Sequence, residues 1–178
     1  LAADTSAVVT ATISDGDMAT LAGLTETGNA YSITITDSSV DAAALNILDG
    51  KTSVAINASN ITTLTGSAAD LNTAYTAIGN GSITGLGNEA VTLSDTTLAV
   101  SVLNTLDNNT SSTIDASSIN TLSGSAADLI TAYDSGGITG LGNEAVNVNS
   151  GTASTSQANT LAADTSAVVT ATISDGDM

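Results

Sequence analysis

The chain has no cysteine, histidine, proline, tryptophan or phenylalanine, and Lys51 is its single basic residue. Each absence removes a class of chemistry. Without cysteine there is no disulfide framework, and without cysteine or histidine the usual zinc ligands are missing. A Ser-His-Asp or Cys-His nucleophile cannot be assembled. Lys51 also lacks a serine three residues before it, so the Ser-x-x-Lys pattern is not formed. One base against 18 acids gives a formal net charge of −17. Nucleic acid and anionic membrane surfaces are therefore excluded as partners, because both need lysine and arginine. No apolar run approaches the roughly 18 residues of a membrane span, so no membrane insertion is expected. The lack of proline leaves every residue able to donate to a strand ladder.

What remains is aliphatic and hydroxylic. Hydrophobic residues make up 42%, yet the only aromatics are Tyr31, Tyr75 and Tyr133. A wide globular core usually draws on aromatics, which bury the largest area per side chain; a core of Ala, Val, Ile and Leu suits a thin layer that repeats. High net charge favours disorder, but the aliphatic content and its periodicity oppose it here.

Repetition organises the sequence. Residues 1–18, LAADTSAVVTATISDGDM, return unchanged as residues 161–178, an offset of 161 − 1 = 160. An identical return that includes surface positions predicts a window from a tandem array. One full repeat is then 1–160, with 161–178 opening the next. Inside it, residues 46–91 return in diverged form at 104–146. This gives sub-copies of about 46–103 and 104–158, and a third, more diverged copy over 159–178 that continues as 19–45.

Period-2 alternation marks short strands at residues 9–13, 33–35, 54–56, 91–93, around Ile114, and at 146–148. Residues 169–173 repeat the first. Six strands in one repeat give about 27 residues per turn, within the range of solenoid repeats. The expected fold is a β-solenoid of about six turns per repeat, each with one short parallel-stacked strand plus a short helix or loop. Asp15, Asp37 and Asp95 stand two residues beyond the last strand aliphatic, where helix N-caps would lie. Ser67 with Asp70 and Ser125 with Asp128 resemble capping boxes opening an extra helical turn.

The chemistry-bearing patterns are few. Gly85-Leu-Gly87-Asn-Glu-Ala90 and Gly140-Leu-Gly142-Asn-Glu-Ala145 match a loose dinucleotide fingerprint. They precede a strand instead of following one, so they read as turns. Paired carboxylates could hydrolyse a glycoside, but Asp recurs here with the repeat and no aromatic-lined sugar cleft is available. No enzyme is expected. Asp15 and Asp37, with Asp17 and Asp41 close by, form the candidate metal site. Stacked carboxylates repel unless bridged, and Ca²⁺ accepts oxygen ligands in flexible geometry. The competing reading is that these are helix caps; no cofactor is then required. Outward strand positions carry hydroxyl pairs, Thr10/Thr12, Thr34/Thr36 and Thr92/Ser94, in a row continued by Ala55/Asn57, Thr113/Asp115 and Asn147/Asn149. Such a face suits ice, glycan or mineral binding, although threonine is also an ordinary choice for an exposed strand. Asn57, Asn60, Asn80, Asn108 and Asn109 begin N-x-Ser/Thr triplets, expected by chance in this composition.

The phrases INASNITTLTGSAADLNTAY and ITGLGNEAV resemble the acidic Ala/Thr/Ser/Asp-rich tandem repeats of very large bacterial cell-surface proteins, those of marine cyanobacteria in particular. The resemblance covers the whole chain as one of composition and phrase. It implies an extracellular or cell-surface location and a structural, adhesive or motility-associated role. The expected function is a structural repeat protein that builds a fibre, filament, sheath or stalk with itself as partner. The alternative is a surface-binding adhesin using Thr10, Thr12, Thr34, Thr36 and Thr92.

Overall fold

Two-to-four-residue alternations of aliphatic and polar side chains become strands, and Ala/Leu-rich segments after a Ser or Asp become helices. In the computed structural model, which describes residues 2–175, these make an α/β fold whose paired strands run parallel in several sheets. The last three positions of the 161–178 segment lie outside the described residues. The chain divides into two units, residues 1–91 and 92–178.

The first unit begins with a 3₁₀ turn at Ala2–Asp4, then β1 (Thr10–Thr12), α1 (Met18–Leu21), β2 (Ala30–Ser32), β3 (Ser39–Asp41) and α2 (Ala42–Asp49). It continues through β4 (Ile56–Asn57), β5 (Thr63–Gly66), α3 (Ala68–Asn80), β6 (Ile83–Thr84) and the start of β7 (Ala90–Leu93). β1 pairs with β2, β3 with β5, and β4 with β6. The second unit contains β8 (Thr97–Ala99), α4 (Val100–Asp107), β9 (Ile114–Asp115), β10 (Thr121–Gly124) and α5 (Ala126–Asp134). It continues with β11 (Ile138–Thr139), β12 (Ala145–Val148), α6 (Thr155–Asp164) and β13 (Val169–Thr170). Its four-stranded sheet has the order β13-β12-β10-β8, and β9 pairs with β11.

The registers correct the expected period. Ser39 lies opposite Thr63, Thr97 opposite Thr121, Thr121 opposite Ala145, and Ile114 opposite Ile138. All four pairs share one offset: 63 − 39, 121 − 97, 145 − 121 and 138 − 114 each equal 24. Ile56 opposite Ile83 keeps the longer interval, 83 − 56 = 27. The expectation of one strand per step is also corrected. In the second unit β9 and β10 precede α5, and β11 and β12 precede α6. Strands β2, β6 and β11 were missed as well as β3, β5, β8 and β10; the last four carry one buried aliphatic each, Val40, Leu64, Leu98 and Leu122, too short an alternation to register as a period.

Other expectations shift locally. Of residues 54–56 only Ile56 is in a strand, β4, which runs on to Asn57, and Val54 is 38% exposed. Ile33 and Ile35 are buried, but they flank an isolated bridge between Thr34 and Asn57. There the Ile35 N–H donates to the Asn57 carbonyl at 2.9 Å, and the Asn57 N–H to the Ile33 carbonyl at 3.0 Å. The extra helical turn becomes the 13-residue α3 and the 9-residue α5. Ser67 and Ser125 cap them as expected. Each hydroxyl accepts the N–H three residues on and donates to the carboxylate of Asp70 or Asp128.

Asp15, Asp37 and Asp95 are not the N-caps. Asp17 caps α1, Asp41 caps α2, and Ala99 precedes α4 with no side-chain cap. The intervening strands β3 and β8 move the helix starts beyond Asp37 and Asp95.

The buried residues are mostly Ala, Val, Ile and Leu, joined by Tyr31 and Tyr75. Ala42, Leu45 and Leu48 form the buried stripe of α2, and Val100, Leu103 and Leu106 that of α4. Each buried leucine is worth roughly 1.5–3 kcal/mol. Neighbouring helices are tied alike in both units. Asn46 Nδ2 donates to the Asp70 carbonyl at 2.9 Å, and Asn104 Nδ2 to the Asp128 carbonyl at 3.0 Å.

Candidate functional site

The acidic turns are built from backbone-capping carboxylates. Asp17 accepts from the Ala19 N–H and the Thr20 hydroxyl, at 2.9 and 3.0 Å, and Asp41 from the Ala44 N–H at 3.0 Å. Asp37 Oδ2 accepts the Met18 N–H, the first of α1, at 2.7 Å. The β1–β2 register has the short offset 30 − 10 = 20, which carries Asp37 past Asp15 to the start of α1. Asp15 and Asp37 are thus not equivalent positions in neighbouring steps. Asp15 is exposed. Among the described residues, no group of three or more acidic, histidine or cysteine side chains is arranged to hold a metal ion.

The candidate binding face is exposed at all five threonines, Thr10, Thr12, Thr34, Thr36 and Thr92. Its rows differ from those expected. Thr10 lies beside Ala30 and Thr12 beside Ser32, while Thr34 lies beside Asn57 and Asn57 beside Thr84. In the second unit Asp115 is beside Thr139, and Asn147 is flanked by Ser123 and Thr170. Within each unit these rows mix threonine with other residues, Ala, Ser and Asn in the first and Asp, Asn and Ser in the second. The first step is shorter than the others, so it slips the threonine pairs out of line.

The most elaborate polar constellation is one whose partners the sequence did not reveal. Glu89 and Glu144 are 1% and 0% exposed. Glu144 Oε2 accepts the N–H groups of Gly142 and Asn143, at 2.9 and 3.1 Å, and Oε1 accepts the Tyr133 hydroxyl. Glu89 repeats the arrangement with Gly87, Asn88 and Tyr75, at 2.8 and 3.2 Å from the two N–H groups. The loop folds back on its own carboxylate, and a helix supplies the tyrosine that closes it. Charge-assisted bonds of this kind are about twice as strong as neutral ones. The available signal was that tyrosine and glutamate, both scarce, recur together in the two sub-copies.

Burial, followed by the adjacent Glu144 carboxylate, pushes the Tyr133 phenol above its ordinary range. Its folded pKa lies above the unfolded value, so the associated stability is complete below about pH 10 and is lost as pH rises further. Thermal melts should therefore fall more steeply above pH 10 for the native chain than for Tyr133→Phe.

The chain's one base lies elsewhere. The Lys51 ammonium donates to the Thr25 carbonyl at 3.0 Å, beside an apolar cavity of about 240 Å³ lined by Met18, Leu21, Leu24 and Ile47.

No family model, curated protein or solved structure matches this chain. Among the described residues no helix is long and apolar enough to cross a membrane.

One carboxylate works against the fold. Asp164 ends α6, its Oδ2 is buried without a hydrogen-bond partner, and desolvation followed by the Asp134 charge raises its pKa. A raised acid favours folding only while protonated, and its ionised form at a helix C-terminus is unfavourable. Asp164→Asn should stabilise the chain by about 0.5 kcal/mol at pH 7. The gain should vanish below pH 4, which chemical denaturation at the two pH values will read.

Proposed function

We propose that this chain is a structural repeat protein, a building element of an extracellular fibre, filament, sheath or surface stalk, in which solenoid turns stack on one another and the partner is a further copy of the repeat. The observation that carries this reading is the recurrence of one hydrogen-bonding plan along the chain. It appears in the parallel registers, in the Asn46 and Asn104 ties between helices, and in the two Tyr–Glu loops. Steps that satisfy one another by nearest-neighbour pairing allow length to grow without redesign of the core. The role is architectural, with no reaction, and the strong negative charge keeps such elements soluble.

Cryo-electron microscopy of the native material tests the reading. An axial spacing near 4.8 Å with a longer repeat of roughly 30 Å is expected; discrete particles without that spacing would remove it. In this reading the acidic turns need no cation, because Asp17, Asp37 and Asp41 already accept backbone N–H groups. Chelation should leave the melting temperature unchanged. A structural Ca²⁺ present at about 100 times its Kd would instead add about 2.7 kcal/mol.

The exposed run of Thr34, Asn57 and Thr84 favours a second reading, an adhesin face for ice, glycan or mineral. Thermal hysteresis, or retention on a glycan or mineral surface, abolished by Thr34→Lys would support it.

A further inference from the structure

Residues 1–18 and 161–178 have the same sequence but different neighbours, so one segment is seen with each of its two sides occupied. As residues 9–13 it is covered by the strand after it. The Ala30 N–H donates to the Val9 carbonyl at 2.9 Å, and the Ile13 N–H donates to the Ser32 carbonyl at 3.0 Å. As residues 169–173 it is covered by the segments before it. The Val146 N–H donates to the Val168 carbonyl and that of Ala153 to Thr172, both at 2.9 Å, while the Ser174 N–H donates to the Ala153 carbonyl at 2.9 Å. The local conformation is shared, since the Ala7 N–H donates to Thr5 Oγ1 and that of Ala167 to Thr165 Oγ1, both at 3.1 Å.

The two sets of bonds do not compete. In the numbering of the first copy, the following neighbour uses residues 9 and 13, whereas the preceding neighbour uses residues 8, 12 and 14. Alternate residues of a parallel strand bond to opposite sides, so one strand can hold both neighbours at once. Side chains agree. Thr5 is exposed, while its counterpart Thr165 is buried and donates to the Glu144 carbonyl at 2.7 Å. Ile173 is 45% exposed, while its counterpart Ile13 is partly covered. The acid of this segment is used too. Asp175 accepts the first N–H of α6 from Thr155 at 2.7 Å, as Asp37 does for α1 from Met18.

We propose that the open edge of residues 169–173 is the docking site for a second copy of the repeat. That copy's Ala30–Ser32 strand pairs in parallel, with Ala30 opposite Thr170, Tyr31 opposite Ala171 and Ser32 opposite Thr172. This deepens the structural-repeat reading and rests on it, by naming the partner and the register of the joint. In the single chain, β1 already holds the place beside that strand. A separate chain must therefore displace an identical segment to dock, whereas a covalently continuous copy need displace nothing.

The test appends a second copy of residues 19–178 to the full chain, so that the joint is made once within one polypeptide. Amide exchange at Ile173 is then compared between the single and extended chains, with Ile13 as the internal standard. In the extended chain the Ile173 amide should slow on the order of 100-fold, to the protection of Ile13. Ala171→Pro should abolish that protection while leaving the stability of the single chain unchanged, because its N–H faces the open edge. The same change at the equivalent position, Ala11→Pro, should destabilise the single chain. Unprotected Ile173 in an extended chain whose two copies keep their core protection would overturn the joint, yet leave a beaded structural array standing. Absence of the spacing near 4.8 Å in native material would instead strike the structural role itself.

Discussion

Glu144→Leu is expected to destabilise the chain by about 3–5 kcal/mol. The carboxylate is fully buried and accepts three donors, the N–H groups of Gly142 and Asn143 and the Tyr133 hydroxyl. Leucine fills much of the space but leaves those donors without an acceptor, and each unsatisfied buried donor costs about 1–3 kcal/mol. Tyr133→Phe should cost only about 1 kcal/mol, because both backbone donors keep their carboxylate. Urea denaturation of the two variants measures the difference. Equal losses would mean that the tyrosine, and not the loop backbone, holds the glutamate. Glu89 should behave alike, since its loop has the same donors in the first unit.

Gly140→Ala is expected to cost about 2–4 kcal/mol, against near neutrality at Gly136→Ala. Gly140 has φ +84°, where an L residue is strained, and an added Cβ would sit 2.7 Å from the Ser117 nitrogen and 2.9 Å from its Cα. Backbone cannot rotate aside as a side chain can, so strain and overlap add. Gly136 has open space around its Cβ position. Gly85 repeats the constraint against Ser59, with φ +90° and the nitrogen again at 2.7 Å. The loop that carries the buried glutamate is thereby pressed onto the turn of the preceding step. That turn is itself fixed by Asn57 or Asp115 accepting the N–H two residues on, at 3.1 and 3.0 Å. The hydrogen bonds to Ser117 hold the Asp115 carboxyl below its ordinary range.

Much of this was legible in the linear pattern. The repeats at 46–91 and 104–146 predicted like structures, and α3 and α5 start at the serines that the capping pattern marked. The alternations at Ile114 and at residues 146–148 became β9 and β12. Other features were not legible, for definable reasons. The caps of α1 and α2 fall on Asp17 and Asp41, not on Asp15 and Asp37. Every one of these acids is a competent acceptor, and only the path of the chain decides which N–H it meets. Asp37 does accept the N–H of a helix start, but that helix is α1, 19 residues away. No local rule finds such a contact.

By itself, the sequence determined what could be repeated and from what. Its lack of histidine and cysteine removed the chemistry that those two side chains carry, its aliphatics supplied most of the buried residues, and its recurring phrases set like structures in like places. Tertiary structure alone decided the interval between paired strands, the slip that sets Thr10 beside Ala30, and the meeting of tyrosine with glutamate. These depend on which segments lie side by side. Pairing is chosen by the summed burial of whole steps, and no short window of residues contains that sum.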